Sequence, residues 1–329
     1  MNISVNGLGI VSKAGNTEDV IRLFAGNGRI DPWFLHSSRS LPIDFPDDMN
    51  ISQQLIRRMS HFAKLSLLSA CDAVKDSGLD LSGKSIGIIQ GSVYGPIISG
   101  IQAFDDLIDF GDNQLSPTNF SGSVFNTSAT YLSLAFGIQG STLTHTSGLD
   151  TLYNSFLTAS LWLETHIADY VIVGIGDEYS SFFDVHALPK IPQTNLLPTA
   201  EGWTTFILST DPTPKYGKIR WEHLQSLPET KNSPVIYSIW HESTEIPEFQ
   251  EHSRDNQACF PVHVRGSYPS ASAFDLGLAL VCAKQERFPV NDGPVGNYQI
   301  QTIHPNPKIR CLCATEGKGV YSFEVGYVK

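Results

Sequence analysis

The side chains best placed for chemistry cluster where a β-branched run, STLTHT (141–146), meets the tight turn SGLD and then a long helical pattern from about Asp150 to His166. Thr146 and Ser147 bring hydroxyls to that turn, but a hydroxyl becomes a nucleophile only beside a base, and the neighbouring residues offer no obvious one. Ser147 therefore reads as a turn or capping residue. Asp150 reads as a first-turn carboxylate complementing the helix dipole, with decarboxylation as its alternative role. His241 stands alone at the end of an apparent strand, where an imidazole is either structural or an acid–base group. Five cysteines, Cys71, Cys259, Cys282, Cys311 and Cys313, lack the Cys-x-x-Cys spacing of a structural zinc site, so no metal and no cofactor are expected. Cys311 and Cys313 alternate along an apparent strand and read as core filling rather than a redox pair.

The elements that must position these residues are legible from hydrophobic period. Residues 3–12 read as a first strand with a glycine turn, followed by Asn16-Thr17-Glu18-Asp19, an N-cap with acidic first-turn residues, and a helical run. Residues 51–77 carry Leu55, Met59, Phe62, Leu65, Leu68, Cys71 and Val74 at helical spacing and predict one helix ending near Gly78. Strands are expected at 85–92, 141–146, 169–178 and through WTTFILST, with a Ser-Pro turn and a small-residue helix at 116–137. After a seam near Thr210 to Gly217, strands are expected near 234–240, 259–265, 298–303, 309–314 and 319–328, and a helix at 270–286. Strands alternating with long helices make this a layered α/β protein.

At 329 residues with 41% hydrophobic content, the chain can bury a large core as one α/β domain or two fused halves. Its 33 acidic against 22 basic residues, a formal charge of -11, remove the general electrostatic reason to bind nucleic acid. An acidic carrier protein would be repelled by the average surface too, so its docking would need a basic partner or a local patch. Arg57, Arg58 and Lys64 form one small basic cluster, which also reads as a solvated helix face. No run reaches the roughly 20 apolar residues of a membrane span, and the N-terminus reads as a strand rather than a signal peptide, so a cytoplasmic protein is expected.

Several segments together resemble the β-ketoacyl synthase branch of the thiolase-like fold. ISVNGLGIVSKAGNTEDVIRLFAG resembles the family's opening strand, glycine turn and first helix; SPTNFSGSVFNTSATYLSLAFGIQGSTLT resembles the approach to its nucleophile; ADYVIVGIGDE resembles the strand after the nucleophilic helix. The resemblance implies a five-layered α-β-α-β-α arrangement of two similar halves, residues 1–212 and a shortened 213–329. In active members a cysteine at the turn opening the buried helix is acylated, and two histidines assist decarboxylation of the malonyl unit. Counting from either flank puts Leu149 at the cysteine position, between Gly148 and Asp150, and no cysteine occurs between Cys71 and Cys259. IYSIWHEST resembles the first histidine segment and places His241 there, with Glu242 where the family has glycine. GSYPSASAFDLGLAL resembles the second, so that Ser267 replaces the histidine, and Val262 lies near the place of the family's lysine. The C-terminal glycine-rich loop is degenerate in CATEGKGVYSFEVG.

Loss of the catalytic set on a retained scaffold resembles the chain-length factor of type II polyketide and aryl-polyene systems, except that leucine stands where such subunits often carry glutamine. The resemblance implies a pseudoenzyme that forms a heterodimer with a catalytic ketosynthase, meets acyl carrier protein only indirectly, and helps shape the acyl tunnel in polyketide or fatty-acid biosynthesis. STLTHT would be the strand continuing the sheet across the dimer axis. The segments expected at the tunnel end or interface carry Ile98, Ile101 and Phe104, then Asn119, Phe120, Val124 and Phe125; their apolar spacing fits core filling equally well. The alternatives are a homodimeric acyl-binding scaffold, or a decarboxylase or hydrolase using Asp150 or His241.

Overall fold

The computed structural model describes residues 2–26, 29–30, 40–45, 51–80, 82–111, 115–182, 199–225, 234–238, 258–259, 261–265, 268–291, 298–303, 305–314 and 320–327. Strand β1 (Asn2–Ser12) is buried along all but its first residue. It is followed by β2 (Gly15–Asn16) and α1 (Thr17–Ala25), whose start is fixed by a reciprocal box: the Asn16 side chain accepts from the Asp19 N–H while the Asp19 carboxylate accepts from the Asn16 N–H. Next come β3 (Arg29–Ile30), α2 (Gln53–Arg58), α3 (His61–Ser77), β4 (Ile86–Gly91), α4 (Ile97–Phe110), α5 (Pro117–Ser123), α6 (Thr127–Phe136), β5 (Thr142–His145), α7 (Thr151–Glu164), β6 (Tyr170–Asp177) and β7 (Gly202–Ser209). The remainder forms β8 (Lys218–Leu224), β9 (Val235–Ser238), β10 (Ala258–Cys259), α8 (Val262–Arg265), α9 (Ser272–Gln285), β11 (Arg287–Asn291), β12 (Tyr298–Thr302), β13 (Lys308–Ala314) and β14 (Val320–Gly326).

The main sheet runs β10-β9-β13-β14-β8-β1-β7-β6-β4-β5. Its two five-strand sets share one plan. Numbered within each set, both read third, second, fourth, fifth, first, with the second strand parallel to its two neighbours and the fifth antiparallel to the fourth and the first. The sets join where Asn2–Ser4 of β1 pairs antiparallel with Lys218–Arg220 of β8. This repeated order is the pair of similar halves that the sequence leads one to expect. A separate three-stranded sheet contains β11, β12 and β3.

Helix α3 presses directly on the β1 backbone, because Gly7 and Gly9 present no side chain there; a Cβ on either would overlap a carbonyl of α3, Ala73 O or Ser69 O. On the other side of the sheet, α7 lies between the two strand sets. Its Phe156 is fully buried and meets Phe206 of β7 edge-on at 5.3 Å, and Trp221 of β8 and Phe323 of β14 at 5.8 Å each. Helix α9 shares this central layer: it packs on β13, β14 and β9 of one set and on β7 and β1 of the other, and is buried over nearly its whole length. The head of α7 is thereby held at the centre of the molecule.

Three expectations are corrected. The helix predicted over 51–77 is broken at Met59–Ser60, where extended backbone ends α2 and the Ser60 hydroxyl caps α3 by accepting from the Ala63 N–H. The helix predicted within 116–137 divides into α5 and α6 at extended Val124. Residues 259–265 do not form one strand: β10 stops at Cys259, and Pro261, with its φ already helical, begins a turn whose carbonyl accepts from the Val264 and Arg265 N–H groups.

Candidate functional site

Leu149 lies in a single 3₁₀ turn, Gly148–Asp150, that opens α7. Gly148 takes φ 57°, a left-handed conformation that costs glycine little, and so bends the chain sharply from β5 into the helix. Thr151 ties off the bend: its hydroxyl accepts from the Ser147 N–H at 3.0 Å and donates to the Gly148 carbonyl at 2.7 Å. Ser147 acts as a turn residue, its carbonyl accepting from the Asp150 N–H. His145, the nearest imidazole in sequence, meets the Thr158 hydroxyl at 2.9 Å instead of serving Ser147. At the helix mouth stands a half-buried leucine, with no heteroatom to deprotonate or acylate.

The space beside it is occupied by tyrosine. Tyr153, one helical turn beyond Leu149, stacks on Tyr321 of β14 with ring centroids 4.0 Å apart and planes 15° apart. The Tyr321 hydroxyl donates to the Asp150 carboxylate; burial, aided by the negative charge of Asp150, pushes its pKa up to about 12. Asp150 is the N-cap residue of α7, and its carboxylate accepts from Tyr321 rather than from the helix backbone.

His241 and Ser267 lie outside the described residues, as do the side chain of Val262 and most of the degenerate C-terminal loop. Close to Ser267 in sequence is a pair that sequence reasoning missed. Arg265 meets Asp275 of α9 through two parallel hydrogen bonds, Nε to Oδ1 at 2.7 Å and Nη2 to Oδ2 at 2.8 Å, with both side chains fully buried. A lone arginine and a lone aspartate inside two apolar stretches were the available signal. Asp177, at the end of β6, accepts from the Ser92 hydroxyl and the Val93, Tyr94 and Ser270 N–H groups, and so joins the segment after β4 to the one before α9. Cys311 and Cys313 sit 3.9 Å apart with both thiols buried, and burial raises the pKa of Cys311 far above the usual thiol range.

A second missed cluster anchors the other end of the site. Glu201, fully buried, accepts from His61 Nε2 at 2.7 Å and from the Leu41 and Tyr179 N–H groups. Ser40 Oγ donates to the same Glu201 oxygen at 3.2 Å and lies 3.4 Å from the same His61 nitrogen, so the three groups meet on one side of the ring and do not form a relay through the imidazole. Burial works to lower the His61 pKa, but the Glu201 bond and charge outweigh it and the net shift is upward. Glu178 accepts from the Ile98 N–H at the head of α4, and its second oxygen is buried without a partner among the described residues. Burial pushes its carboxyl up to about 7.

The residues expected near the tunnel or interface are brought together, but not as core. Helix α4 buries only Ser99, and its far end projects Phe104 and Ile108, 67% and 78% exposed. Phe120 of α5 and the following Val124 and Phe125 are exposed as well, while Ile98, Ile101 and Asn119 are half-buried. The Asn119 amide donates to Asp106, fastening α5 to α4. Between these helices runs a groove of about 440 Å³ lined by Tyr94, Ile101, Phe104, Phe120 and Phe125. Arg57 and Arg58 are exposed in the last turn of α2, and Lys64 is half-buried on α3.

Residues 43–195, which hold the bend, Leu149, α4 to α7 and β6, match the family model described as "Beta-ketoacyl synthase, N-terminal domain". Over that segment the chain is similar to a β-ketoacyl synthase N-terminal domain. The 3-oxoacyl-[acyl-carrier-protein] synthase 2 of Coxiella burnetii is 25% identical over 191 residues, 54% of this chain and 46% of that protein, so the match spans about half the length of this curated relative. Likeness of fold extends across the whole chain. A β-ketoacyl synthase from Burkholderia phymatum superposes with a TM-score of 0.69 at 14% identity, covering 100% of both chains. A chain of the AntDE:AntF complex, a type II polyketide synthase acyl-carrier protein with its ketosynthase, gives 0.72 at 14% identity over 99% of each chain. The ishigamide ketosynthase/chain length factor gives 0.72 at 10% identity over 100% of each. The architecture is therefore thiolase-like. No helix among the described residues of this ketosynthase-like chain is long and apolar enough to cross a membrane.

Proposed function

We propose that the chain is a non-catalytic, chain-length-factor-like subunit that pairs with an active β-ketoacyl-carrier-protein synthase and helps to bound its acyl tunnel. The observation that carries this reading is Leu149 at the mouth of α7, where a scaffold built for acyl transfer would present a nucleophile. Condensation through a thioester needs a thiolate, and hydrocarbon cannot replace it. The stacked Tyr153 and Tyr321 support the same reading, because they place two aromatic rings one helical turn past Leu149 and the Tyr321 hydroxyl on the Asp150 carboxylate. We take residues 1–212 and 213–329 as the two halves of this subunit.

The partner role is supported by what the chain leaves uncovered. Strand β5 ends the main sheet, with β4 as its strand partner, and its Leu143 is exposed. The projecting phenylalanines of α4 and α5 lie on two helices that pack on each other. An open sheet edge and a cluster of exposed aromatics are each a liability unless another chain covers them. Acyl carrier protein would then deliver its substrate to the active subunit. The test is purification of the native complex from the source cells, with sequencing of its second subunit. A ketosynthase bearing the nucleophilic cysteine and both histidines is expected; a stable monomer at micromolar concentration would contradict the proposal.

A further inference from the structure

From Ser85 to Pro189 the sequence contains no lysine or arginine, but ten aspartates and glutamates. All but one of the chain's eleven net negative charges therefore come from this stretch, and the rest of the molecule is nearly balanced. The same stretch builds α4, α5, α6, β5 and α7, the elements that carry Phe104, Ile108, Phe120, Phe125 and Leu143 on the surface. On α4 the apolar and acidic residues alternate around one projecting turn: Phe104, Leu107, Ile108 and Phe110 with Asp105, Asp106 and Asp109, all exposed except the half-buried Asp106, which is held by Asn119. No basic side chain of this stretch is available to neutralise them.

The symmetry of a self-dimer makes this composition consequential. In a two-fold interface the same surface faces itself, so every charge on either side comes from one set of residues. On α4 and α5 themselves that set is carboxylates alone, Asp105, Asp106 and Asp109. We propose that the α4–α5 face is charge-coded for a ketosynthase subunit whose matching apolar surface carries lysine or arginine, and that the same code opposes pairing with a second copy of this chain. This rests on the partner role proposed above and adds what selects the partner. The repulsive element gives specificity and the apolar residues give contact area. Ionic strength then acts with opposite sign on the two associations: salt weakens attraction to a basic partner and relieves repulsion between copies.

A charge-reversed copy of the chain, Asp105→Lys/Asp109→Lys, is the defined probe for the code. Sedimentation velocity should show the wild-type chain self-associating less at 50 mM than at 500 mM NaCl, both concentrations chosen to bracket the range over which screening is strong, about 10 Å at 0.1 M. An equimolar mixture of wild type and charge-reversed chain should form a mixed dimer at least about tenfold tighter at the low salt than either chain with itself. A third variant, Phe104→Ala/Ile108→Ala, with an unchanged circular dichroism spectrum, should lose the mixed dimer. Absence of any salt-sensitive mixed dimer, with both chains folded, would overturn the charge code even if the native ketosynthase complex is recovered. Recovery of a mixed dimer without a native ketosynthase complex would keep the code as a property of this face and overturn the identity of its partner.

Discussion

On the proposed reading, a leucine in place of a nucleophile decides the chemistry only if nothing else at the bend can be acylated, and the described neighbours are occupied otherwise. The Thr151 hydroxyl is spent on the Ser147 N–H and the Gly148 carbonyl, Ser147 meets no imidazole among the described residues, and Asp150 accepts from Tyr321. Leu149→Cys is accordingly expected to give no condensation above background in a product assay with acyl- and malonyl-carrier protein, because the thiol would still lack the second histidine and groups that act as a unit are not additive. Measurable condensation by this single variant would show that Ser267 does not mark a lost function. Glu178 carries a different prediction. Its pKa is raised to about 7 from 4.5 by burial, so its contribution to stability is full below pH 4.5 and is lost as pH rises to about 7. The difference corresponds to about 3 kcal/mol. His61, also shifted upward, acts in the same direction. Glu178→Gln keeps an acceptor for the Ile98 N–H and removes the titration, so wild type should lose more melting temperature between pH 5 and pH 8 than the variant; equal losses would mean that Glu178 stays ionised. Leu149 could be found by alignment to the flanking motifs, whereas Glu178, Glu201 and His61 could not, since nothing local in sequence brings together residues from α3, the end of β6 and the start of β7.

At the level of elements, α4 and α5 matter most because, among the described residues, they are the apolar helices that leave phenylalanines uncovered. A phenylalanine that closes a tunnel sets length by excluded volume, since a close-packed wall does not yield to an extra methylene. Phe104→Ala, Phe120→Ala or Phe125→Ala should therefore lengthen the products made by the reconstituted pair if that residue bounds the tunnel. Each is exposed in the single chain, so the substitution should change the chain's own melting temperature little. Unchanged product lengths from three intact, active complexes would remove the tunnel role and leave the pairing role. Strands and long helices were readable from period. The breaks at Met59–Ser60 and Val124 were not, because apolar spacing continues across them while the backbone turns out of the helix. Strand β8 went unread although KIRWEHL begins with alternating exposed and buried residues, a signal hidden by its position directly after the Pro-containing seam. At residues 259–265 valine content pointed to a strand, and Pro261 overrode it.

The molecule as a whole is a duplicated sheet plan that ends at β10 on one side and β5 on the other. The two sets of five strands share an order that no sequence repeat discloses, because strand order is set by crossover connections and packing rather than by residue identity. The exposed Asp105 and Asp109 of the acidic stretch lie on α4, while the buried Arg265–Asp275 pair secures the other half internally. An obligate interface of the expected kind commonly buries more than about 2,000 Å² in total, enough to explain why a subunit would retain a catalytic scaffold without its catalyst. The most direct test is native mass spectrometry of the complex purified from the source cells, before and after loading with an acyl thioester. A one-to-one complex with a ketosynthase, gaining one acyl group that peptide mapping assigns to the partner's cysteine, is the predicted result; an acyl adduct on this chain within residues 145–151, or a chain that carries no ketosynthase partner, would contradict it.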